Sequence, residues 1–193
     1  MPKTPLIAAV LASLLAGVSA PSAKPYLMAQ CPAAVRDEPT LDPRLARDAT
    51  FRVEIRPIGS QGGKTLYLLT GLETATLKSG AKLKTVLGGC ENYSNSYAFE
   101  LKDRTPLRDG RYWLVTAAQL MGEVEAVSAR PPVEFASLRK SLLAAAHRHP
   151  KHDFSAGEFL SGEGRQLLQY SYRIQVERTK TGTILTLDYW VPL

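Results

Sequence analysis

The sequence is poor in the residues that build thiol and metal chemistry. Its 193 residues include two cysteines, Cys31 and Cys90, and three histidines. Two cysteines exclude a disulfide-dense mini-protein. A charged fraction of 22% beside 45% hydrophobic residues excludes wholesale disorder. The 14 glycines and 13 prolines follow no collagen-like period. Only one long apolar run occurs, which excludes a multi-span membrane protein. What remains is a chain of ordinary globular composition, long enough for one domain with a sizeable core.

The single apolar run supplies an address. Lys3 gives a short positive start, Leu6 to Val18 is apolar but for Ser13 and Gly17, and Val18-Ser19-Ala20 has the small-x-small pattern of a signal peptidase site. Such a run is too short to span a bilayer, which needs about 20 apolar residues. Residues 1–20 therefore read as a signal peptide, with cleavage after Ala20 leaving no transmembrane span. The expected location is periplasmic or secreted. The formal charge of +6 suits an anionic surface as a partner, or simply solubility. Nothing in the sequence points to nucleic acid. In an oxidising compartment the expected fate of Cys31 and Cys90 is one disulfide, closing a loop of about 60 residues for about 4 kcal/mol in the chain-entropy model. The rival reading makes Cys90, next to Gly88-Gly89, a thiol nucleophile, but no base or orienting group is recognisable around it.

Residues 21–50 are broken by Pro21, Pro25, Pro32, Pro39 and Pro43 and read as an extended leader that the disulfide tethers. Residues 51–193 read as a single β-rich domain. Phe51, Val53 and Ile55 alternate with Arg52, Glu54 and Arg56, the period of a half-buried strand. Strand texture continues through 65–70, 72–78, 82–87 and 97–101. After the Asp109-Gly110 turn pair, Arg111 to Ala118 reads as another strand. The run Leu107-x-x-Gly110-x-Tyr112-x-Leu114 is similar to the tyrosine corner of immunoglobulin-like sandwiches, which implies a sandwich and carries over no functional residue. Glu134 to His147 reads as the one amphipathic helix, with Phe135, Leu138, Leu142 and Ala145 at helical spacing. At the end, 168–176 and 185–191 alternate on either side of Lys180-Thr181-Gly182, a long C-terminal β-hairpin. The expected class is α+β, a predominantly antiparallel sheet or sandwich with one helix.

Few constellations carry chemistry. His147, His149, His152 and Asp153 offer three nitrogens and one oxygen, a set that suits one Zn or Cu ion. Arg148 and Lys151 oppose a cation there, and Pro150 stiffens the segment. Gly59-x-x-x-Gly63-Lys64-Thr65 has three residues between its glycines where a phosphate loop needs four, so it reads as a hairpin turn. Glu158 and Glu163 flank a Gly-rich turn, and either could serve as the acid of a small cell-wall glycan hydrolase. Ser161 lacks the glycine two residues ahead that a nucleophile elbow needs. Trp113, Trp190, Tyr112 and Tyr189 lie in strand-like runs where neighbours alternate in direction, and these four are expected to form an exposed interaction surface.

These observations favour an exported, non-enzymatic protein without a cofactor, which recognises a protein or a cell-envelope polymer. Metal binding through the histidines and glycan hydrolysis are the two alternatives.

Overall fold

The computed structural model describes residues 38–88, 92–130, 134–163 and 169–192. Residues 1–20, expected from sequence to be a signal peptide, and both Cys31 and Cys90 lie outside the described residues. Among the described residues seven strands form one antiparallel sheet: β1 (Arg47–Gln61), β2 (Lys64–Thr76), β3 (Lys82–Gly88), β4 (Asn92–Leu101), β5 (Glu158–Glu163), β6 (Gln169–Arg178) and β7 (Thr183–Pro192). Their order is β1-β2-β3-β4-β7-β6-β5. Two helices, α1 (Gly110–Val127) and α2 (Phe135–Arg148), connect β4 to β5. The class is α+β, with two helices where the sequence suggests one.

The additional helix, α1, corrects the strand expected over Arg111–Ala118. Tyr112-Trp113-Leu114-Val115 consists of strand formers. Over a longer window, however, Trp113, Ala117, Leu120, Met121 and Val124 recur at helical spacing and are all buried. Asp109 caps the helix by accepting a hydrogen bond from the Tyr112 N–H at 3.1 Å. The tyrosine-corner similarity fails with the strand, since Tyr112 sits in the first turn of α1 and its hydroxyl donates to Asp103. In α2, Phe135, Leu138, Leu142, Ala145 and Ala146 form the buried stripe.

Both helices lie on one face of the sheet. Register shows which side chains they cover. Leu83 stands opposite Phe99, Phe99 opposite Leu185, and Leu185 opposite Val176, and all four are buried. One row along, Tyr97, Leu187 and Ile174 are matched in the same way. These positions merge with Trp113, Leu114, Met121, Leu138 and Leu142 into a single core. Burial of so many large apolar side chains, at about 1.5–3 kcal/mol each, is the main force holding helices to sheet.

Residues 38–46 also belong to this body. Leu41 and Ala46 are buried in the core. The Asp42 N–H donates to the Val127 carbonyl at 2.8 Å, and Leu41 bridges Ser128. The buried Glu73 carboxylate on β2 accepts from the Leu41 N–H at 3.0 Å and also from the Thr40 N–H and hydroxyl. A buried carboxylate with several donors is well satisfied, and here it ties the strap of residues 38–46 to the sheet, while Val127 and Ser128 tie it to the end of α1. Among the described residues no helix is long and apolar enough to cross a membrane.

Candidate functional site

The helices leave the second face of the sheet open. Across its middle the residues are Val86, Ser96, Asp188 and Arg173, matched strand to strand. One row toward the sheet end are Gly88, Ser94, Trp190 and Ser171. The half-buried Trp190 thus lies between Ser94 and Ser171, short neighbours that leave room beside the indole. Val86, Gly88, Ser94, Ser96, Asp188 and Trp190 line a shallow depression of about 270 Å³. A second depression of about 360 Å³ follows on the same face, bordered by Asp48, Thr74, Thr76, Lys82, Lys84 and Glu100. Ser94, Ser96 and Ala98 join the two along β4, giving a track of about 20 Å at strand rise. Trp190 and Asp188 mark one end of it, and the paired lysines mark the other. An aromatic platform, a carboxylate, hydroxyls and cations in an open groove can bind an extended polar chain.

The four aromatic residues proposed from sequence as a surface are not together. Trp113 is 0% exposed, and its Nε1–H donates to the Pro106 carbonyl at 2.9 Å. Tyr189 is buried on the covered face, with its ring 5.1 Å from that of Tyr170. Tyr112 lines a separate groove of about 410 Å³ between α1 and the β2–β3 turn, beside Asp103 and Glu123. Only Trp190 remains on the open face. The reason is tertiary: alternation places Trp190 opposite Tyr189, but only the docking of the helices decides which of them faces water.

The histidine segment follows α2 and packs against the start of α1. The His149 N–H donates to the Ala145 carbonyl at 2.8 Å and the Arg111 N–H to the Pro150 carbonyl at 3.2 Å. The His149 and His152 rings are 5.9 Å apart, and His152 leans on buried Phe154 at 4.6 Å. His152 pairs with Glu158, with Nε2 and Oε2 3.5 Å apart. Asp153 is engaged elsewhere: its carboxylate accepts the Ser155 N–H at 2.9 Å, and this backbone bond is the main cause that lowers its pKa. His147 stands apart on the last turn of α2. Among the described residues no group of three or more His, Cys, Asp and Glu is set to hold a metal ion, so the four residues do not converge.

The glutamate pair is also apart. The Gly-rich stretch around them forms β5 rather than a turn, with Glu158 opposite Ile174 at one end and Glu163 opposite Gln169 at the other. Five strand steps separate their Cα atoms by about 16 Å.

Comparisons of the chain with protein families, with curated proteins and with solved structures found no match.

Proposed function

We propose that the chain is an exported, non-enzymatic binding protein, periplasmic or secreted, whose open sheet face recognises a protein or a cell-envelope polymer. The observation that carries this reading is the open face itself. It offers an indole between two serines, an adjoining carboxylate, and a track of short side chains leading to Lys82 and Lys84. A groove of this form accepts an extended chain lying along β4.

The test is co-sedimentation of the protein with isolated cell-wall sacculi, prepared with and without their bound envelope proteins. The Trp190→Ala variant should lose retention about tenfold, the ordinary effect of truncating an aromatic anchor. No soluble fragments should be released. Equal retention of variant and parent on both preparations would remove the open face from the reading. Release of soluble glycan would replace binding by hydrolysis.

A further inference from the structure

The outermost strand carries a second feature, independent of the open face. β1 is an edge of the sheet, and β2 pairs with β3 only from Gly71 to Thr76. Beyond Val53, which stands opposite Gly71, β1 and β2 continue as a two-stranded ribbon as far as Gln61 and Lys64, with no third strand from the described residues. Two-stranded ribbons are marginal in water, and a third strand or a packed face is what stabilises them. This ribbon also exposes apolar side chains: Val53 is 36% and Ile55 51% exposed, and half-buried Phe51 shares their face.

Geometry limits where another strand can add. The register of β1 shifts between Arg47 and Thr50 and again between Pro57 and Gly59, and Asp48 adopts a left-handed φ of 55°. Bulges end regular pairing, and Pro57 has no N–H to offer. The straight part of the edge is therefore Thr50 to Arg56, and its middle residue is Val53. An antiparallel copy of the same strand, related by a two-fold axis at Val53, would match the two straight parts end to end. Val53 would then face Val53, and Phe51 would face Ile55, joining the exposed apolar residues. On the other face Arg52 would stand opposite Glu54 twice over, once for each copy. Arg56 would face Thr50. Within one chain Glu54 already accepts from Arg52 at 3.0 Å and Arg56 at 2.7 Å, so these three side chains lie on the same face. No like charges meet in this register. A pairing centred on Glu54 would oppose Glu54 to itself and Arg52 to Arg56, and one centred on Ile55 would bring Pro57 against Val53.

We infer that β1 is a self-association edge: two copies of this chain join antiparallel through Thr50–Arg56, about a two-fold axis at Val53. This is an isologous interface formed by strand addition.

Charge reversal tests it, using the full chain expressed in a host able to process its N-terminus. Sedimentation equilibrium over a dilution series should show a reversible dimer. Glu54→Arg puts two cations at 52 and 54, and Arg52→Glu puts two anions there. Either variant alone would oppose like charges twice, and its dimer should weaken roughly tenfold or more. Mixing the two variants should restore dimerisation, because every like pair becomes an opposite one. The double variant Arg52→Glu/Glu54→Arg should dimerise by itself, which guards against a single variant that misfolds. A parent that stays monomeric at every concentration overturns the inference. So does a dimer unmoved by both single reversals, or a failure of both the mixture and the double variant to pair.

Discussion

At the scale of residues, the strap from Thr40 to Ala46 shows how one charged pair sets a pH response. The Asp42 carboxylate accepts from Arg44 three times: from the N–H at 2.9 Å, from Nε at 3.0 Å and from Nη2 at 2.7 Å. The side-chain hydrogen bonds from Arg44 are the first cause that brings the Asp42 pKa down from 3.8 to about 2. A carboxylate with a lowered folded pKa binds its proton less readily folded than unfolded. Its stabilising contribution is therefore complete above about pH 4 and disappears as the pH falls toward 2. Arg44 is largely exposed, so added salt will weaken the effect. Glu54, held down chiefly by its hydrogen bond from Arg56, acts in the same direction. Urea-unfolding midpoints should differ between the parent and Asp42→Asn at pH 7, and the two should approach each other between pH 4 and pH 2. A gap that stayed constant over that range would show that Asp42 acts through packing and not through its charge.

Elements explain why some sequence patterns can be read directly and others cannot. Strands β3, β4, β6 and β7 are legible because one face is packed under helices and the other is open, and period-two alternation encodes that asymmetry. Helix α2 is legible because Phe135, Leu138, Leu142 and Ala145 mark one stripe. Helix α1 is obscured by Tyr112-Trp113-Leu114-Val115. Its better signals are Asp109 as a cap and the spacing from Trp113 to Val124. Strand β5 is hidden by Gly157, Gly162 and Gly164, which suggest a turn in a strand formed only by pairing with β6. The histidine segment looks like a ligand set in one dimension. In three dimensions it is the brace for α1. A Cβ added at Gly110 would lie 2.3 Å from the His149 carbonyl oxygen and 2.8 Å from the His152 N, both backbone atoms. The first turn of α1 can approach this loop only because Gly110 has no side chain. Gly110→Ala should therefore cost about 2 kcal/mol by forcing the two segments apart. Chemical denaturation measures this, and a variant as stable as the parent would mean that the loop gives way freely.

For the whole molecule, the central fact is a sheet with one covered and one open face, and the two tryptophans report on one face each. Trp113 lies among the helices at 0% exposure with its indole N–H satisfied by Pro106. Trp190 is half-buried on the open side, beside Ser94, Ser96 and Asp188. The surface half of the site is hard to see in the sequence for the same reason that this pair is informative: each tryptophan sits in an apolar run, and only the placement of the helices separates core from surface. Emission of the parent should be the sum of a shielded and an accessible indole. Trp190→Phe should leave a blue-shifted spectrum that acrylamide quenches poorly until the protein unfolds. Trp113→Phe should leave the red-shifted, readily quenched component and should also lower stability, since a large core side chain is exchanged for a smaller one. If Trp190→Phe left the protein as quenchable as before, Trp113 on α1 would not be shielded and the helices would not be packed against the covered face of the sheet. The open-face groove would then lose its physical basis, because its shape follows from the helices lying on the opposite side.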